Sequence, residues 1–281
     1  MTTNDIVAQM KSQLKGMIEP RELNAIVNLV LEEVLHYSPV DVVLRGESEQ
    51  DSALVKRIDT ITARLQRHEP IQYILGHAHF HGHTFKVTPA TLIPRTETER
   101  LVDIIVDENP HSDLKVIDLG TGSGCMAISL ARALKFAQVT ATDISQSALQ
   151  VARENARLLR AHVVFRHADM LNMATEPEAW DIVASNPPYV CESERAAMAH
   201  HVLDHEPGIA LFVPDDDALR FYRAIARYAA GSLKKGGRLY LEINQRFGSE
   251  IEQLLKQYGF DDARILNDQF GHTRFATATL A

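Results

Sequence analysis

"LKVIDLGTGSGCMAISLARAL", residues 114–134, decides the fold. Val116, Ile117 and Leu119 surround one acid, Asp118, in a run short enough for a buried strand. Gly120-Thr121-Gly122-Ser123-Gly124 follows, and "CMAISLARAL" then reads as a helix. Glycines let the backbone turn sharply and let a ligand approach it closely. The helix N-terminus behind them adds N–H groups with no partner inside the helix. The spacing is G-x-G-x-G, whereas the dinucleotide fingerprint is G-x-G-x-x-G.

Downstream the pattern repeats. "QVTATD" is a strand, "SALQVARENARLL" a helix, and "HVVFRHAD" and "WDIVASN" are strands. "DDDALRFYRAIARYAAGSL" is a helix expected to end at Lys234-Lys235-Gly236-Gly237. "RLYLEIN" is a strand, and "SEIEQLLKQYGF" a helix with Ser249 at its start and Gly259 at its end. "DARILND" and "TRFATATL" are the last strand candidates. Such alternation predicts an α/β fold, a parallel sheet with helices on both faces.

Upstream, residues 1–75 read as a small helical bundle. Leu23, Val27, Val30, Leu31 and Val34 recur at helical spacing, as do Leu54, Ile58, Ile61 and Leu65. In "SPVD", residues 38–41, Ser38 suits an N-cap and Pro39 the first helical position. Residues 76–95 change character: Phe80, Phe85 and Val87 around Gly82 predict a β-hairpin linker. "TETERLVDIIVDEN" is a helix for which Thr96 and Glu99 suggest a capping box. The expected domains are therefore 1–75, a linker over 76–95, and 96–281.

The chain of 281 residues is 45% hydrophobic and 23% charged, ordinary for a soluble globular protein. It carries no run of the ~18 apolar residues a membrane span needs and no secretory h-region at its start. Two cysteines make no disulfide framework, so a reducing, cytoplasmic setting is the expectation. The net charge of −8 disfavours broad phosphate-backbone binding. Residues 1–75 hold eight Lys and Arg against eleven Asp and Glu, a net of −3, so neither part is a basic module.

Three features fall at the carboxyl ends of consecutive predicted strands, where open α/β sheets bind ligands. The first is the glycine loop, Gly120 to Gly124. The second is Asp143, which alone would suit a helix N-cap but beside the glycine loop suits the two hydroxyls of a ribose. The third is Asp169-Met170, placed where an adenine edge would lie. Together they resemble the S-adenosylmethionine site of a class I methyltransferase, with a Rossmann-like domain. The fourth strand then delivers Asn186-Pro187-Pro188-Tyr189. The prolines fix their own φ angles and restrict the residues before them. Methyl transfer is an in-line displacement, so the nucleophile must be held ~3–3.5 Å from the methyl carbon. The Asn186 side-chain oxygen and the Pro187 carbonyl suit the two N–H groups of a planar nitrogen, and Tyr189 would stack on its plane. Such acceptors work when preorganised.

Asn-Pro-Pro-Tyr is similar to the motif of methyltransferases acting on planar nitrogens: an adenine amino group in nucleic acid, or a glutamine amide in protein. "EPIQYILGHAHFHGHTFKVTPATLIPRTETERLV", 69–102, resembles the linker and entry segment of bacterial peptide chain release factor glutamine methyltransferases. "EPGIALF", 206–212, "GGRLYLEIN", 236–244, and "DQFGHTR", 268–274, resemble that family too. The resemblance implies methylation of the glutamine in the Gly-Gly-Gln motif of class I release factors. It implies release-factor binding by residues 1–75 and cofactor contacts at Gly120, Thr121, Gly122, Ser123, Gly124, Asp143, Met170 and Asn186. It gives Asn186, Pro187 and Tyr189 the catalytic roles, and the glutamine site to these three with Pro188. Thr96 stands where proline is usual, Met170 where a tryptophan can occur, and Asn244 where glycine is frequent. A monomer is expected, with no direct nucleic-acid binding.

Other features carry less. His77, His79, His81 and His83 alternate, so on one strand they would share a face, and zinc is conceivable. They have no cysteine or acidic companion, and methyl transfer needs no metal, so none is expected. Asp215-Asp216-Asp217 suits a helix N-terminus. Cys125, on the first helical turn, is expected as a small packing residue, although such a position can lower a thiol pKa. Glu206-Pro207 is expected to shape a loop over the site.

Overall fold

The computed structural model describes residues 1–281 and divides into two compact units, 1–75 with 199–205 and 76–198 with 206–281. In the first, α1 (Thr3–Leu14), α2 (Pro20–Leu35) and α4 (Ser52–Leu65) bury Ile6, Met10, Val27, Leu31, Ile58 and Ile61 in one core. The short helices α3 (Pro39–Leu44) and α5 (Ile71–Leu75) join them. Ser38 caps α3 as its sequence suggests: its hydroxyl accepts from the Asp41 N–H, and the Asp41 carboxylate accepts from the Ser38 N–H. Residues 199–205 also belong to this unit, and the His205 ring nitrogen lies 3.1 Å from the Arg67 carbonyl.

The second unit opens with a hairpin, β1 (His77–Phe80) and β2 (His83–Lys86). Its two turn residues, His81 and Gly82, both have positive φ, the requirement of a type I′ turn. Then follow α6 (Thr96–Glu108), β3 (Lys115–Leu119), α7 (Cys125–Ala133), β4 (Gln138–Asp143), α8 (Gln146–Leu158), β5 (Val163–His167) and β6 (Trp180–Ser185). The short β7 (Val190–Cys191), α9 (His200–Leu203, in the helical unit) and β8 (Phe212–Val213) lead to α10 (Arg220–Ala230), β9 (Leu233–Glu242), α11 (Gly248–Gln257), β10 (Phe260–Asn267) and β11 (Thr273–Leu280).

Seven strands form one sheet in the order β10-β11-β9-β6-β3-β4-β5. Strand neighbours alternate their faces, and the sequence uses this. Val116 and Ile182 face a core built with α6 and α7, while Ile117 and Val183 face one built with α10 and α11. The sheet is not wholly parallel, because β11 runs antiparallel between β9 and β10. Lys234 to Gly237 do not end the preceding helix but bulge within β9, where the register with β6 shifts and Gly236 takes positive φ. No helix is long and apolar enough to cross a membrane.

The strand order positions the site. From β3 the chain moves outward to β4 and β5, then returns to β6 on the other side of β3. The carboxyl ends of β3 and β6 therefore adjoin at the switch point of the sheet, where ligands bind in such folds. Leu119 pairs with Ser185, so the glycine loop and the Asn186 loop leave the sheet side by side.

Candidate active site

A cavity of about 350 Å³ opens at this switch point. Of the residues expected from sequence, Gly120, Thr121, Gly122, Ser123, Asp143, Met170, Asn186 and Pro188 line it, whereas Gly124, Pro187 and Tyr189 stand behind the wall. In the glycine loop, Gly120 and Thr121 both donate to the Thr142 carbonyl, and Gly122 donates to Asp143 Oδ2 at 2.8 Å. The loop is thus tied to β4 rather than built as an anion cradle. Its glycines serve conformation and clearance. All three have positive φ, and a Cβ on Gly120 would lie 2.7 Å from Met170 Cε.

Two carboxylates face the cavity in different states. Asp118 is fully buried at the end of β3; Thr121 donates to its Oδ2 at 2.7 Å, and its Oδ1 has no hydrogen-bond partner. Burial pushes its pKa up to about 7, with Asp143 adding repulsion. Asp143 accepts from Gly122 and, through Oδ1, from the Ser145 N–H at 2.8 Å. Burial raises it too, against the pull of those backbone bonds. Each of its oxygens keeps a lone pair for a further donor. An orphaned carboxylate oxygen, a second carboxylate with spare acceptors and a methionine beside Gly120 suit a ligand with an ammonium group, a diol and a flat ring. S-adenosylmethionine has all three. Asp169 also lines the cavity, but its carboxylate accepts from Leu171 and Asn172 in its own turn.

The Asn186 loop rests on a network that no sequence motif announced. Asn186 Nδ2 lies 3.0 Å from Thr98 Oγ1. Thr98 Oγ1 lies 2.6 Å from Glu242 Oε2, and the Tyr189 hydroxyl lies 2.9 Å from Glu242 Oε1. Glu242 is 1% exposed, and burial raises its pKa while the two hydroxyls and Arg274 pull it down. Burial also holds the Tyr189 hydroxyl well above its usual range, so it stays protonated and donates. Asn244, where glycine is frequent in the resembled family, donates to the Tyr189 carbonyl at 3.1 Å and to Glu194 at 2.8 Å.

A second wall comes from residues 90–95 and from Pro207, Ile209, Ala210 and Phe212. Glu206 joins them, accepting from the buried Ile93 N–H at 3.1 Å and from Arg95 Nη2 at 2.6 Å. The fixing bond, not loop shape alone, is what Glu206 supplies. Its neighbour Pro207 could be noticed in sequence, but a partner 111 residues away could not.

Other expectations are redirected. α6 starts at Thr96 itself, with no side-chain cap, and Glu99 instead accepts from the His81 N–H left exposed by the hairpin turn. The histidines take separate polar partners: His81 lies 3.2 Å from Asp103, His79 pairs with Thr84, and Arg132 donates to His83, while the His77 ring meets His79 edge-on at 6.0 Å. No group of side chains there is arranged to hold a metal. Burial pushes the Cys125 thiol up to about 12, so the helix terminus does not activate it. Asp215 accepts from Ser193 and Asp217 pairs with Arg223, ahead of an α10 that has no side-chain cap.

Residues 97–208 match the model of the methyltransferase small domain, and residues 5–76 that of the PrmC N-terminal domain. The release factor glutamine methyltransferase of Bacteroides thetaiotaomicron is 43% identical over 98% of this chain and 99% of its own length. That of Flavobacterium psychrophilum is 39% identical over 95% of each. A methyltransferase structure from Pyrococcus furiosus aligns with a TM-score of 0.53 at 17% identity, over 79% of this chain and 98% of that one, which is a likeness of fold. With such identity over almost its full length, the chain belongs to the family of release factor glutamine methyltransferases.

Proposed function

We propose that the protein transfers a methyl group from S-adenosylmethionine to the side-chain amide nitrogen of the glutamine in the Gly-Gly-Gln motif of class I peptide chain release factors. The observation that carries this is the Asn186 loop leaving the sheet beside the glycine loop, with the amide nitrogen of Asn186 already engaged by Thr98. Bound S-adenosylmethionine supplies a methyl group on a positively charged sulfur. Asp118 Oδ1 suits its ammonium, Asp143 the ribose hydroxyls, and Met170 the adenine face. Asn186 Oδ1 and the Pro187 carbonyl accept from the two N–H groups of the substrate amide. These bonds favour electron density on nitrogen and hold its lone pair on the line of attack; as the N–C bond forms, the C–S bond would break with its electron pair going to sulfur, and one amide proton would be released to solvent. Pro188 lines the approach, and Tyr189, outside the lining with its hydroxyl held by Glu242, braces the loop from behind instead of stacking on the amide.

Adenine in nucleic acid presents a similar amino group, but the −8 net charge opposes a phosphate-backbone partner. In this reading the chain acts as a cytoplasmic monomer, binds no nucleic acid directly, and uses its helical unit to engage the release factor. The test is transfer of labelled methyl to a release factor, to the same factor with Gln→Ala in its Gly-Gly-Gln motif, and to DNA and RNA. Label on the first alone is expected. Equal label on both factors would sink the glutamine assignment, and equal rates on nucleic acid would revive adenine.

A further inference from the structure

We propose that Glu242, acting through Thr98, fixes the side-chain amide of Asn186 with its oxygen toward the cavity, and so serves as a positioning residue for methyl transfer. This rests on the acceptor role given to Asn186 above. An asparagine amide has two ends of nearly equal size and opposite hydrogen-bonding character. Only one end can accept from a substrate N–H, so something must forbid the flip.

With Glu242 ionised, the hydrogens allow one arrangement. Glu242 lies at the end of β9 between Leu241 and Ile243, with both oxygens engaged by hydroxyls. Tyr189 has one proton and gives it to Oε1. Thr98 has one proton, and the 2.6 Å separation from Oε2 is that of a hydroxyl donating to a carboxylate. Toward Asn186, 3.0 Å away, the Thr98 oxygen is then left with lone pairs alone. It can accept, not donate. The amide nitrogen must face Thr98, and the amide oxygen faces the other way. A flipped Asn186 would set two acceptors against each other in a buried site, at the cost of an unsatisfied pair. Thr98 is 4% exposed.

The chain of contacts joins α6, the β6 loop and β9, which are remote in sequence. Glu242 is not part of the cavity lining; Thr98 reaches it, so the Val and Ser variants together separate loss of the hydroxyl from a change of the lining. The test uses the full-length protein, a release factor substrate and saturating S-adenosylmethionine, with Trp180 emission as a check on folding. Thr98→Val, which keeps shape and removes the hydroxyl, is expected to lower kcat by at least about tenfold while Thr98→Ser stays within about threefold of wild type. Cofactor Kd should move by no more than about twofold in either, because uniform binding is untouched. Glu242→Gln should lower kcat comparably, and the double variant should be no worse than the poorer single, as expected for members of one unit. Should Glu242→Gln fail to fold, the Thr98 pair carries the test. Wild-type turnover in Thr98→Val, equal losses in the Val and Ser variants, or multiplicative losses would overturn the inference. Absence of transfer by the wild type would instead remove the functional reading on which it stands.

Discussion

Replacing Gly124 with alanine is expected to destabilise the methyltransferase unit through two separable effects. Gly124 has φ +82°, and a left-handed conformation costs an L-residue about 1–2 kcal/mol. The new Cβ would also lie 3.0 Å from Ile128 Cδ1, 3.1 Å from Ala152 Cβ and 3.3 Å from Ala152 Cα. The last two atoms belong to α8, so relief requires the helix to move, and overpacking of this kind costs about 1–3 kcal/mol. Alanine's lower entropy in the unfolded chain returns about 0.4–1 kcal/mol. The net loss is about 2–4 kcal/mol. Gly122→Ala is the control: φ is +57°, and nothing lies within 4 Å of its added Cβ. It carries the backbone strain without the crowding and should cost about 1 kcal/mol. Urea unfolding followed by tryptophan emission measures both. The chain has one tryptophan, Trp180, buried in this unit and donating to the Tyr228 hydroxyl at 2.9 Å. The signal therefore reports the methyltransferase unit. Losses equal within ~0.5 kcal/mol, the level at which surface changes scatter, would refute the packing of Gly124 against α8.

Three further outcomes follow from the site. Asp118, with its pKa at about 7, should bind a cationic ligand better as it ionises: S-adenosylmethionine affinity should rise several-fold, about eightfold at most, from pH 6 to 7.5 in calorimetric titrations. Asp118→Asn should flatten that rise, and an unchanged slope would contradict the ammonium assignment. In the free protein the sign is opposite. The raised pKa makes the contribution of Asp118 to stability full below 3.8 and lost as pH climbs through about 7. Asn186→Ala should keep cofactor Kd within a few-fold and lower kcat by about a hundredfold or more, the effect of removing a preorganised partner; unchanged turnover would break the mechanism. Glu206→Ala removes the acceptor of the buried Ile93 N–H and should cost about 1–3 kcal/mol, seen as faster hydrogen exchange at Ile93. Unaltered exchange there would show that the wall stands without Glu206.

Sequence made the frame of this site legible because the frame is local. Val116 and Ile117, or Ile182 and Val183, are adjacent residues sent to opposite cores, and that alternation is written in the chain. The glycine loop, Asp143 and Met170 each lie at or just past the end of a strand, so a strand count sufficed to gather them. The support was not legible because it is not local. Thr98 and Glu242 are 144 residues apart. The available signal was one carboxylate between leucine and isoleucine at the apolar end of β9, since buried acids occur mainly when paired. Glu99 misled for a related reason: a capping-box spacing is a local rule, and a hairpin N–H from His81 displaced it. Asp118 was passed over because a buried acid inside a strand looks structural until its second oxygen is found without a partner. Residues 199–205 join the helical unit through a four-residue helix too short to carry a periodic pattern.

The central claim is chemical, that the methyl group ends on a glutamine amide nitrogen in a protein. Fragment-ion mass spectrometry of release factor, digested after incubation with this enzyme and S-adenosylmethionine, locates it directly. The account predicts one added methyl on the side-chain nitrogen of the glutamine in Gly-Gly-Gln, formed about a hundredfold more slowly or worse when Asn186→Ala replaces the wild type. A methyl on another residue, or an unmodified peptide after full incubation, would contradict it.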